Sequence, residues 1–311
     1  MPEMDVVALA GGIGAARFLR GLVQVVEPAD LTVVANTGDD IRLHGLHVSP
    51  DLDTITYTLG GGVHAEQGWG RGEETFAVAN ELAERYHQPT WFTLGDRDLA
   101  THLVRTRLLG EGRSLSDATA IIAASWGLPF TLLPMTDDPV TTRIETTDGR
   151  DLHFQEWWVG EGAAPDVADV TFDGVADAVP APGVLGAISI ADAVVLCPSN
   201  PVVSIEPILS LPGVRAALHH VPVVGISPIV GGQVVRGMAD RLLAAQGTAV
   251  SALGVARRYG DILDAWLVDE ADAGVVADIE ELGLGCTAVD SIMRSPEVAA
   301  TVARAALDLL A

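Results

Sequence analysis

The chain has no lysine. All 18 of its basic residues are arginine, set against 42 acidic residues, for a formal charge of −24. A P-loop lysine and a Schiff-base lysine are therefore excluded, and any phosphate chemistry must rest on backbone N–H groups, arginine or a metal. So acidic a protein is poorly suited to displace counterions from a polyanion, which argues against sequence-independent nucleic-acid binding and against a polybasic membrane patch. Cysteine is scarce as well. Cys197 and Cys286 are too far apart for a metal knuckle or a disulfide framework. Both follow apolar runs and read as buried thiols in a reducing compartment. Aromatics make up 5% of a chain that is 49% hydrophobic, so the core has to be aliphatic. No apolar run approaches the ~20 residues of a transmembrane helix, and the opening MPEMDVVALAGG has no basic n-region. These absences point to a cytoplasmic protein whose partners are neither nucleic acid nor membrane.

What is present is an alternation of short β-rich runs with longer helical patterns. Asp5–Ala10 reads as a first strand, followed by glycines and a helix over 15–26, with Phe18, Leu19, Leu22, Val25 and Val26 on one face. Strands are expected at 31–35, 91–94, 130–134, 193–196, 223–226 and 266–268, and helices at 73–86, 99–109, 114–125 and 296–310. Such alternation gives a parallel sheet with helices on both faces. The period changes near residue 137, where alternation flanks Asp148–Gly149, a hairpin signal. The expected fold is α/β: a Rossmann-like three-layer core, mostly parallel, from 1–136 together with 183–311, with a smaller inserted α+β subdomain at 137–182.

Loops rich in glycine or aspartate follow the strands, on one edge of the sheet. Gly11, Gly12 and Gly14 lie between a strand and a helix, where a phosphate can meet backbone N–H groups and the helix dipole; a ligand-free tight turn would look the same. NTGDDIRLHGLHVSPDLDT, residues 36–54, carries Asp39, Asp40, Asp51 and Asp53. These would repel one another unless water screens them, one caps a helix, or a hard cation sits among them. His44 and His47 in this loop-like run read as polar or packing residues. The stretch 60–76 reads as a lid or a mobile loop. In GDRD, Asp96 or Asp98 can cap a helix, while Arg97 can hold a phosphate or carbonyl with its planar fork. His102, Arg105 and Arg107 read as exposed charges further along that helix. In CPSNP, two prolines stiffen a turn presenting Ser199 and Asn200, which can read a base edge or close an Asx turn. A nucleotide or diphosphate ligand with magnesium fits these loops best, in phosphoryl-type transfer.

Taken together, AGGIGAARFLRGL, ANTGDDIRLHGLHVSPDLDTITYTLGG, GWGRGEETF, LGDRDLATHLVRT, CPSNPVVSIEPIL and GISPIVGG resemble the 2-phospho-L-lactate transferase family, nearest its actinobacterial phosphoenolpyruvate transferase branch. The resemblance implies a Rossmann-like, usually dimeric enzyme of coenzyme F420 biosynthesis that requires Mg2+. It implies transfer of a phosphoenolpyruvyl or 2-phospho-L-lactyl moiety from a guanosine diphospho-linked donor to the ribityl hydroxyl of the deazaflavin Fo (7,8-didemethyl-8-hydroxy-5-deazariboflavin). GMP leaves, and the product is dehydro-F420-0 or F420-0. By the same resemblance Gly11, Gly12 and Gly14 cradle donor phosphates, and Ser199, Asn200 and Pro201 hold the guanosine. Asp40 and Asp53 bind Mg2+, Asp40 and Arg97 contact Fo, and Asp40 is the base candidate. A non-catalytic regulator of the same superfamily that binds nucleotide sugars is the alternative; Arg97 and the Trp69-bearing lid favour the transferase.

Overall fold

The computed structural model describes residues 4–310. Its centre is a sheet of seven strands, every neighbouring pair parallel. Across the sheet the strands run Gly285–Val289, Ala265–Asp269, Val223–Ile226, Ala193–Leu196, Val6–Ala10, Leu31–Ala35 and Thr131–Pro134. They are continuous apolar runs because both faces are covered. Val6, Ala8 and Ala10 turn toward a layer built on helices Gly12–Leu22, Leu115–Ser125 and Pro296–Asp308. Val7 and Leu9 turn the other way, toward Val184–Ile190, Ala239–Ala245 and Ala252–Arg258.

Segment 137–182 carries a separate three-stranded antiparallel sheet, ordered Asp151–His153, Thr141–Thr146, Val167–Asp173. The Asp148–Gly149 turn joins the first two in sequence, with Gly149 at φ +85°. Ile144, Phe154 and Trp157 of this segment lie in the same apolar cluster as Leu9 and Val194 of the main sheet and Ile205 of the turn that follows it.

Most expected elements form within a few residues of their expected ends. One strand does not. Residues 91–94 are irregular, a bend at 91–92, with Trp91 and Phe92 packed edge to face at 5.7 Å and Thr93 Oγ1 donating to the Thr90 carbonyl. The sheet position beside Leu31–Ala35 is already taken by Thr131–Pro134. Inside the aspartate-rich stretch, Ile41–Leu43 and Leu46–Val48 form a small hairpin with His44 and Gly45 at positive φ. The edge strand Gly285–Val289 was not expected from the sequence. Cys197 is buried, but Cys286 on that edge strand is only half-buried. No helix among the described residues is long and apolar enough to cross a membrane.

The chain winds outward from Val6–Ala10 to one edge, then returns to Ala193–Leu196 beside it and winds to the other edge. A crevice opens beyond the carboxyl ends of these two neighbouring strands, where connections depart in opposite directions. Helix Gly12–Leu22 is fixed over it by helix Pro296–Asp308. A methyl group on Gly21 would overlap the backbone of Ala299 and Ala300. Gly21→Ala is thus expected to lower unfolding free energy by about 1–3 kcal/mol. Gly186, also helical but with nothing within 4 Å of an added Cβ, should gain about 0.5–1 kcal/mol on conversion to Ala. Urea denaturation of both variants checks the contrast; equal effects would remove the close helix approach as the cause.

Candidate functional site

A cavity of about 470 Å³ occupies the crevice. The first βα turn supplies Gly11, Gly12 and Gly14, and the loop after Ala193–Leu196 supplies Ser199 and Asn200. Asp39, Asp51 and Asp53 contribute one wall, and Phe154, Gln155 and Trp158 arrive from the antiparallel segment.

The three glycines have different roles. Gly12 sits at φ +68°, a conformation L side chains rarely adopt, and opens the helix. A Cβ on Gly11 would lie 2.6 Å from both Asp51 Oδ2 and Ser204 Cβ, so only glycine admits the aspartate here. A methyl on Gly14 would overlap the Pro198 carbonyl oxygen; this glycine lets the helix lie against the neighbouring loop. The Gly11 N–H is already engaged by Ser199 Oγ at 3.3 Å. Asn200 Oδ1 accepts from Val202 N and Val203 N at 3.0 and 3.4 Å, closing its own turn, while its Nδ2 has no partner among the described residues. Pro201 is buried off the cavity wall and stiffens that turn.

The acidic wall is knotted around Asn36. Its Nδ2 donates to Asp39 Oδ1 at 3.0 Å, Asp51 Oδ2 at 2.9 Å and the Val203 carbonyl at 3.2 Å, and its Oδ1 accepts from Gly38 N at 2.9 Å. Gln155 Nε2 donates to Asp39 Oδ2 at 2.8 Å. Burial, then the charges of Asp51 and Asp40, hold Asp39 well above the usual carboxylate range. Burial pushes the Asp51 carboxyl up to about 7, against the bonds from Asn36 and Gly12. Asp40 lies off the cavity wall. Its Oδ2 accepts from Ser49 Oγ at 2.6 Å and His47 Nε2 at 2.8 Å, while its Oδ1 is buried without a partner. Burial raises this carboxyl too. His153 Nε2–H donates to the Asp40 carbonyl at 3.1 Å and its Nδ1 accepts from Gln155 N, which fixes the tautomer.

Asp53 is committed elsewhere. Both its oxygens accept from the guanidinium of Arg105, with His102 Nδ1 3.6 Å away. The expectation of exposed charges on this helix fails for His102 and Arg105, each 1% exposed. Thr101, His102, Arg105 and Leu108 form the inward face of Asp98–Gly110, and of His102, Arg105 and Arg107 only Arg107 faces out, paired with Glu111 at 2.8 Å. Asp98 completes the wall, accepting from Tyr57 Oη at 2.6 Å with His102 Nε2 at 3.2 Å. Asp40 and Asp53 are thus held by separate partners; Asp53 lines the cavity but is engaged by Arg105, whereas Asp39 and Asp51 line it sharing Asn36.

Arg97 lies outside the cavity, half exposed and paired with Glu73 at 3.0 Å. Its neighbours join two elements by exchanged caps. Asp96 accepts from Ala77 N and Val78 N at 3.0 Å each, capping Ala77–Glu84. Glu74 accepts from Arg97 N and Asp98 N at 2.8 and 2.7 Å, capping Asp98–Gly110. The strap 60–72 is anchored where Arg71 stacks 4.4 Å over Trp126 and 5.4 Å over Tyr57. Trp69 and Gly70 of the strap reach the cavity.

Sequence reasoning missed Gln155, Tyr57 and the two arginines on the cavity wall, Arg17 and Arg236. Arg17 had a readable signal, since it follows the glycine turn on the same helix. Arg236 and Gln155 lie in stretches with no motif.

The 2-phospho-L-lactate transferase CofD family matches residues 6–304. A phosphoenolpyruvate transferase of Streptomyces griseus is 54% identical, covering 98% of each chain. Proteins of the same name from Thermobifida fusca and Mycobacterium marinum are 51% and 44% identical, again over 98% of each chain. A solved structure from Bacillus halodurans, a UPF0052 family member, superposes with a TM-score of 0.64 at 18% identity, covering 99% of each chain, and so shares the fold. With its glycine turn and acidic cavity at the switch point and a match running almost end to end, the chain belongs to the CofD family of 2-phospho-L-lactate transferases, a family of enzymes.

Proposed function

We propose that this enzyme transfers a phosphoenolpyruvyl moiety from a guanosine diphospho-linked donor to the ribityl hydroxyl of Fo, in coenzyme F420 biosynthesis in the cytoplasm. The observation that carries the reading is one cavity at the switch point in which buried, like-charged carboxylates and two arginines without an ion pair among the described residues line the same space. That pairing suits a ligand with a diphosphate and a cation. The 54% identity to a protein named phosphoenolpyruvate transferase favours that donor over the phospholactyl one, and favours turnover over a regulatory role.

In the reaction the ribityl oxygen bonds to the phosphorus of the three-carbon moiety. The phosphorus–oxygen bond to GMP breaks, GMP leaves with the electron pair, and the hydroxyl proton passes to a base. The expected Mg2+ fits this chain at Asp39 and Asp51 better than at Asp40 and Asp53. No group of three or more His, Cys, Asp or Glu side chains among the described residues forms a complete cage, and magnesium needs only one or two carboxylates beside phosphate oxygens and water. Asp39 and Asp51 face the cavity and strain against each other's charge, whereas Asp53 is neutralised by Arg105. When bound, the ion would neutralise charge on the diphosphate. Asp40 is then free of ligation with its Oδ1 unpartnered, and it remains the base that the family resemblance suggests although it lies off the cavity wall. Arg97 lies outside the cavity and would contact Fo only where that ligand extends beyond it. For the expected homodimer, helix Ala77–Glu84 has no buried residue and is flanked by exposed Phe76 and Tyr86.

The reading is tested by incubating the enzyme with Mg2+, Fo and each guanylated donor and weighing the product. The phosphoenolpyruvyl donor is expected to give the product lighter by two hydrogens, faster than the phospholactyl donor gives the heavier one. No product from either donor would end the proposal.

The division of labour has its own test. Asp40→Asn should lower turnover by about a hundredfold or more with an unchanged Mg2+ dependence. Asp39→Asn and Asp51→Asn should raise the Mg2+ concentration for half-maximal rate by about tenfold or more. A shifted Mg2+ requirement in Asp40→Asn would return that residue to the metal.

Arg105→Leu leaves Asp53 buried and unpaired and is expected to cost about 3–5 kcal/mol of stability. Adding Asp53→Asn should recover part of that loss in thermal melts. No recovery would show that Asp53 is not held chiefly by Arg105.

A further inference from the structure

Arg17 and Arg236 are the two arginines on the cavity wall, and neither donates a hydrogen bond nor forms an ion pair among the described residues. Many of the chain's other arginines are paired, including Arg97, Arg105, Arg143, Arg215 and Arg241. In a protein of charge −24, two adjacent guanidinium groups without an acid are conspicuous. Both converge on the strap. A Cβ at Gly68 would lie 3.5 Å from Arg17 Nη2 and 3.6 Å from Arg236 Nη1. Burial, then the charge of Arg236, makes the Arg17 cation harder to hold. No ion pair among the described residues offsets this repulsion; a multiply charged anion between the two would. Two planar forks can each take a pair of oxygens, which matches phosphoryl groups better than a lone carboxylate.

We infer that Arg17 and Arg236 form an anion clamp that binds the diphosphate of the donor beneath the Gly68 strap. Arg17 stands on the helix opened by the glycine turn, so the phosphates lie between the helix start and the clamp. The inference rests on the proposed guanosine diphospho-linked donor, and inorganic pyrophosphate separates the two claims. The probes are pyrophosphate, GDP, ADP and guanosine, read by calorimetry and thermal melts in the full-length protein.

Pyrophosphate should raise the melting temperature of the wild-type protein. Arg17→Gln and Arg236→Gln should lose that rise, and each should bind pyrophosphate and GDP about tenfold or more weakly, with guanosine affinity unchanged. Without ligand, both variants should melt at or above the wild-type temperature, because one of two repelling charges is gone. That last readout distinguishes a clamp from a structural role, which would lower the melt. Pyrophosphate affinity within threefold of wild type in both variants would overturn the clamp. Wild-type protein that binds pyrophosphate through these arginines but does not prefer GDP to ADP would keep the clamp and overturn the guanosine reading.

Discussion

Three acceptors crowd one side-chain amide that has two hydrogens. Asn36 Nδ2 faces Asp39, Asp51 and the Val203 carbonyl, so one bond is shared. This knot ties together the turn after the second strand, the start of helix Pro50–Leu59 and the loop after Ala193–Leu196. It holds two carboxylates side by side in a place water does not screen. The neighbouring groups follow from that constraint. Gly11 has no side chain because Asp51 needs the space. Gln155 comes from the antiparallel segment to hold the second oxygen of Asp39. Asp53, two residues further along the helix, is removed from the conflict by its own arginine.

The cavity is therefore polarised. Uncompensated acid gathers near the helix start, and uncompensated base gathers beneath the strap. Each half is unfavourable in isolation, since burial penalises unpaired charge. The folded chain carries both because most of its weight is in the sheet layers, where Val, Leu, Ile and Ala pack without polar atoms. Strained electrostatics are affordable at a site only when the scaffold is otherwise consistent.

The scaffold was readable because its signals are local. Strand runs, the glycine turn, the Asp148–Gly149 hairpin and the final helix each depend on neighbours a few residues apart. The site was readable by position, at strand ends, but not by partnership. Asp39 meets Gln155 across 116 positions and Asn36 meets Val203 across 167, and no spacing rule reaches so far. Hence the choice among four aspartates could not be made from the stretch alone. Gly14 lines the cavity and also packs against the Pro198 carbonyl, and Asn200 spends its oxygen on its own turn. The inward side of Asp98–Gly110 was misread because buried ionic residues have the same composition as an exposed charged face.

The exchanged caps of Asp96 and Glu74 make two helices each other's terminus. Neither can drift without stripping hydrogen bonds from the other's first turn. A displacement of the outer helix would therefore drag on Asp98, and through Tyr57 and His102 on the floor of the cavity. The periphery and the cavity wall are mechanically geared, so a load applied at the surface would be felt inside the crevice.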